Sequence, residues 1–127
     1  MSAEPVHIVR LVADADGSSR FVEAEVAMTP RDFAPPAAPL DVSDAVAASG
    51  VIFWRAPVGW DGQQHPAPAR QWAFVLGGAV EVEASDGATR FLGPGDGILL
   101  EDLTGAGHTT RVVGDEPAVG VFVQVPE

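Results

Sequence analysis

Glycine sets the rhythm of this chain and limits what it can become. It falls at Gly59, Gly62, Gly77-Gly78, Gly87, Gly93, Gly95, Gly105, Gly107 and Gly114, several times next to proline or aspartate. Between these breaks lie short apolar runs at 51–55, 71–76, 79–84, 89–91, 97–100, 109–113 and 119–125. Many short strands separated by turn signals predict an all-β sandwich or barrel. No segment with a helical period competes with that reading.

The first 50 residues read differently. Residues 6–12 and 20–28 predict two strands around the turn Asp14-Ala15-Asp16-Gly17, a loose hairpin. Pro30, Pro35, Pro36 and Pro39 then forbid a regular helix or a central strand. This stretch is expected to be an irregular proline-rich arm crossing the barrel surface. One short helical turn is expected over 41–48, capped by Asp41 or Ser43.

At 127 residues the chain is expected to form one domain, 1–127, with the strands and arm in 1–50 and the barrel in 51–127. Cysteine is absent, which excludes a disulfide framework, a thiol nucleophile and thiolate-held zinc. A formal charge of −11 argues against nucleic acid and against anionic membranes as partners. No run approaches the roughly 20 apolar residues of a membrane span, and the N-terminus lacks the pattern of a signal peptide. A soluble, cytoplasmic protein is expected. Lysine is absent too, which removes Schiff-base and pyridoxal phosphate chemistry. There is no phosphate-binding glycine loop or G-x-S-x-G elbow, and no nucleotide or flavin is expected.

Gly59, His65, Ala67, Gln71 and Gly78 fall at the spacing of the first cupin motif, G-x5-H-x-H-x(3–4)-E-x6-G. Gly95-Asp96 opens the second, G-x5-P-x-G-x2-H-x3-N, and Gly105 and His108 close it after a longer loop. Over residues 51–125 the chain therefore resembles the cupins, and in detail a group of small bacterial single-domain cupins without a generally assigned reaction. The resemblance implies an antiparallel double-stranded β-helix, or jelly roll. It also implies a divalent metal, such as zinc, nickel, iron or manganese. The matching ligand positions are His65, Ala67, Gln71 and His108. One imidazole of the family set is thus replaced by a methyl group, the carboxylate by a neutral amide, and the final Asn by Val112.

Strand alternation points His65, Ala67, Gln71, Ala73 and Val75 inward, and Arg70, Trp72, Phe74 and Leu76 outward. His65, Gln71 and His108 are the candidate metal ligands and catalytic groups; without metal, a histidine can act as base and Gln71 can orient a ligand. Glu101 or Asp102 could supply the missing carboxylate, or Asp102 could bond amides of its own turn. Trp54, Trp60 and Asp102 are expected to bind substrate, with Phe53 in the same apolar wall as the two indoles. Arg55 or Arg70 could pair with a ligand carboxylate, although Arg70 and Arg111 are expected in surface ion pairs. His7 receives no role. The expected function is binding of a small polar organic molecule. The resemblance extends this to a metal-dependent isomerase, lyase or dioxygenase, the alternative being a metal-free, non-catalytic binding protein. The outward apolar face needs cover, from the arm, from the N-terminal strands or from a second subunit, and a homodimer is expected.

Overall fold

A computed structural model describes residues 3–126; the expected domain limits at Met1 and Glu127 lie outside the described residues. It contains eleven strands and, among the described residues, no helix. β1 (Val6–Ala13) and β2 (Ser19–Val26) form the expected hairpin. Its loop closes through Gly17 N–H on Asp14 O at 3.0 Å, with Gly17 at φ +90°, where an L side chain is strained.

The arm is more ordered than its prolines suggest. β3 (Thr29–Arg31) pairs antiparallel with β4 (Leu40–Val42). Pro30 is tolerated because a two-stranded ribbon has two free edges. The helical turn expected over 41–48 does not form. Asp41 pairs with Pro30, and the segment after Val42 buries no apolar stripe, with Val46 62 % exposed. Without such burial a short helix cannot offset its nucleation cost.

The remaining strands follow the glycine rhythm: β5 (Gly50–Ala56), β6 (Gln71–Gly77), β7 (Val80–Ala84), β8 (Thr89–Leu92), β9 (Gly97–Glu101), β10 (His108–Val112) and β11 (Ala118–Gln124). Together with β1 and β2 they make two facing sheets. One has six strands in the order β2-β1-β9-β6-β11-β5; the other has three, β10-β7-β8. The pairing is antiparallel as expected, with one exception: β1 runs parallel to β9, Val9 beside Ile98 and Val12 beside Glu101. The core lies between the sheets and includes Leu11, Val75, Val82, Leu92, Ile98 and Val112.

The alternation of β6 is as predicted. Gln71, Ala73 and Val75 are buried inward, while Phe74 and Leu76 face out at 38 % and 57 % exposure. Gly97 is required beside Phe74, because a Cβ there would meet the phenyl ring. The N-terminal strands lengthen this sheet in its own plane. They do not cover its outer face, and neither does the arm, whose Phe33 is 67 % exposed.

Candidate functional site

Residues 60–67, between β5 and β6, run along the free side of β10. Val112 N–H donates to Trp60 O at 2.9 Å, and Gly62 N–H to Thr110 O at 2.9 Å. His65 and His108 exchange two backbone hydrogen bonds of 3.0 Å each. Ala67 N–H then donates to Asp102 O at 3.0 Å. The two histidines thus face each other as a cross-strand pair, although the sequence separates them widely. Gly107 allows this closeness: at φ +73°, any Cβ would strike the carbonyl of His65. Ser19, fully buried at the start of β2, holds the Gly107 carbonyl at 2.6 Å and exchanges bonds with Ser85.

Each ring is oriented through the same nitrogen. His108 Nδ1 lies 2.6 Å from Asp102 Oδ2, and both residues are buried. His65 Nδ1 lies 2.7 Å from the carbonyl oxygen of Gln63. A carbonyl only accepts, so His65 must carry its proton on Nδ1. Gln63 adopts φ 50°, in a turn where its N–H donates to Asp61 Oδ1 at 3.0 Å. The ring centres are 5.2 Å apart with planes tilted by 47°. Among the described residues, Nε2 of neither ring has a hydrogen-bond partner. A histidine held this way through Nδ1 offers the Nε2 lone pair to a metal or to a ligand proton.

Both rings line one end of a cavity of about 320 Å³ between the sheets. Val75, Val80, Val82, Ile98 and Leu100 form its floor, and Trp54 with Phe122 one wall. These two rings stack at 5.6 Å over Gly120, where a side chain would collide with the indole. The Trp54 indole N–H is buried and has no acceptor among the described residues. Trp60 lines the mouth, 41 % exposed and lying over Gly62. Gln71, 3 % exposed, adds an amide whose oxygen sits 3.4 Å from Gln124 Nε2.

The structure therefore brings His65, Gln71, His108, Trp54 and Trp60 to one cavity. Three expectations are corrected. Phe53 is no part of the wall; on β5 it alternates with Trp54 and is 75 % exposed on the outer face. Asp102 neither lines the cavity nor caps its own turn: Oδ2 faces His108 and Oδ1 is buried without a partner. Glu101 points to the outer face, where Arg10 Nε donates at 2.6 Å and Arg70 Nε at 2.9 Å. Burial pushes the Glu101 carboxyl up, but the two guanidinium bonds outweigh it and hold the group below its usual range.

Arg70 thus makes a surface ion pair, as does Arg111 with Glu81 and Glu83. His7 is exposed, 3.5 Å from Glu25. Ala67 is buried in the core. Among the described residues, no cluster of three or more His, Cys, Asp or Glu is placed to hold a metal. The orienting roles of Gln63 O and Ser19 had no sequence signal beyond the Asp61-Gly62 turn.

Among curated proteins none matches the chain. Among solved structures it is similar to a conserved protein of unknown function from Streptococcus pyogenes. That match has 16 % identity and a TM-score of 0.47, and covers 67 % of this chain and 71 % of the other. No helix here is long and apolar enough to cross a membrane. A cupin domain model matches residues 52–124, a span from β5 to the end of β11 that includes both histidines. With two facing sheets, that motif pair and the match over more than half its length, the chain belongs to the cupin family.

Proposed function

We propose that this cupin binds a small organic molecule in the inter-sheet cavity, with its apolar body on the floor and wall and its one polar group at the imidazole end. The observation that carries this reading is the shared state of the two rings: both spend Nδ1 on the protein and keep Nε2 free. The polar ligand expected from the motif is thereby narrowed to one that is polar at one end. A sugar, with hydroxyls all round, would leave most of them unpaired against valine, leucine and isoleucine.

A divalent ion fits this end in part. The two imidazole rings stand 5.2 Å apart with Nδ1 of each engaged by the protein, the state in which a histidine can act as a metal ligand. His65, His108 and the amide of Gln71 would hold it, with Asp102 and the Gln63 carbonyl behind the rings. Imidazole donors suit zinc, nickel or iron better than manganese. When bound, the ion would polarise an oxygen of the ligand, the chemistry a metal-dependent isomerase, lyase or dioxygenase needs. The donor set is neutral, so the affinity is lower than a carboxylate would give.

A second reading needs no metal. It is favoured by the Gln71 oxygen, which already faces Gln124, and by the absence of a carboxylate from the lining. The free Nε2 atoms would then accept a hydrogen bond from the ligand, or a proton. That arrangement serves a non-catalytic binding protein equally well. We place either activity in the cytoplasm, where a cysteine-free chain loses nothing to reducing conditions.

Elemental analysis of tag-free protein separates the readings. Stoichiometric metal, lost in both His65→Ala and His108→Ala, establishes the first. Metal below about a tenth of an equivalent, with no thermal shift on adding zinc, nickel, iron(II) or manganese, establishes the second. Ligand-observed NMR with small aromatic and aliphatic monoacids and ketones, against simple sugars, tests the cavity itself. Binding of the first group only, weakened by both alanine variants, is expected; binding of sugars alone would refute the proposal.

A further inference from the structure

Among the exposed apolar side chains of this chain, two groups stand on separate elements, a sheet face and the arm. The first is the outer face of the six-stranded sheet on its β5 side. Val51 is 59 % exposed, Phe53 75 %, Phe74 38 % and Leu76 57 %. Val121 and Val123 lie between them, beside Phe53 and Val51 in register. The second is the arm. Phe33 is 67 % exposed, Leu40 47 % and Val46 62 %, on a ribbon that is exposed along almost its whole length.

The charges repeat this pattern. The chain has seven cations, all arginine, against 18 carboxylates. Six of the arginines make ion pairs among the described residues: Arg10, Arg20, Arg31, Arg70, Arg90 and Arg111. Arg55 makes none. It follows Phe53 by two positions on β5, so strand alternation gives it the same side as Phe53, and it is also among the residues that line the cavity. The arm, for its part, carries Asp32 and Asp41, neither of which makes an ion pair among the described residues.

We propose that the arm of one copy lies across the outer face of a second copy, reciprocally about a two-fold axis. Phe33 and Leu40 would cover Phe53 and its neighbours, and Asp32 or Asp41 would meet Arg55. The arm's attachment allows it. Ser49 N–H is fixed to Gln124 O at 2.8 Å, so the arm leaves the body at the start of the edge strand β5. The other edge strand, β2, carries Arg20, Glu23 and Glu25, charged side chains of the kind that guard a sheet edge against strand pairing. β5 has no such guard before Arg55. Four prolines restrict the free arm, which lowers the entropy lost when it docks. An isologous dimer satisfies both surfaces at once, because one chain carries the two complementary patches.

Light scattering at micromolar concentration tests this. The full chain should run at twice its 13.2 kDa mass. A species at the single-chain mass overturns the proposal. The arm variant Phe33→Asp with Leu40→Asp, and the face variant Phe53→Asp, should each give the single-chain mass. Their thermal transitions should stay cooperative, since all three side chains are exposed. An arm variant that remains dimeric overturns arm exchange. A charge reversal gives a second test that does not alter apolar packing. Arg55→Asp should weaken the dimer by about tenfold or more, and adding Asp32→Arg with Asp41→Arg should restore it to within about threefold. Failure to restore overturns the contact between arm and face.

Discussion

Asp102 Oδ2 and His108 Nδ1 stand 2.6 Å apart in the interior, with Asp102 wholly inaccessible to solvent. The carboxylate reaches the cavity only through the imidazole it orients. Asp102→Ala would leave the Nδ1–H buried and unpaired, at a cost of about 1–3 kcal/mol. It would also free the ring to turn. Chemical denaturation should show this loss, and binding at the cavity should fall about 10–100-fold. Asp102→Asn keeps an acceptor in place and should lose less of both.

Gly107 positions His65 through backbone alone. Gly107→Ala puts a methyl group into the His65 carbonyl at a φ of +73°. Left-handed strain and the clash together should cost on the order of 3 kcal/mol. If the protein still folds, the cross-strand pair of His65 and His108 must part, and NMR should show both histidine ring environments shifted. Shifts confined to residue 107 would contradict the arrangement.

The strands were largely legible because glycine, proline and alternation are local signals. The predicted 71–76 became Gln71–Gly77, and 97–100 became Gly97–Glu101. Motif spacing was enough to pair His65 with His108. What failed was non-local or a matter of parity. The face that Phe53 presents depends on the pairing of β5 with β11, not on its proximity to Trp54 in the sequence. The role of Asp102 follows from its contact with His108 across the turn into β10, which the turn's own sequence does not carry. The Gln63 carbonyl is a backbone group and leaves no mark in a sequence. The parallel placement of β1 against β9 is a fact of strand order, which composition does not carry.

Glu101 gives a pH-dependent contribution to stability. Its folded-state value is depressed by Arg10 and Arg70 against the opposing effect of burial. The stability it contributes is therefore present above the ordinary glutamate range, and is lost as pH falls through the folded value. Glu101→Gln should cost roughly 1 kcal/mol near neutral pH. The gap between variant and parent should close in acid. Urea titrations of both proteins across that range would check it; a gap that is constant with pH would assign the effect to packing.

Ala73 lines the cavity beside Gln71 on β6 and is 8 % exposed. Ala73→Leu adds bulk to space that is already open, so stability should change by less than about 1 kcal/mol. Binding of any small apolar ligand should disappear while the histidine signals remain. Retained binding would locate the ligand elsewhere.

The central claim is that both rings present an unprotonated Nε2 to the same cavity. Long-range ¹H–¹⁵N correlation spectra of histidine-labelled protein read this directly, at a pH where the rings are neutral, with exposed His7 as the internal reference. The account predicts the Nδ1–H tautomer for both His65 and His108. Either ring found with its proton on Nε2 would contradict it.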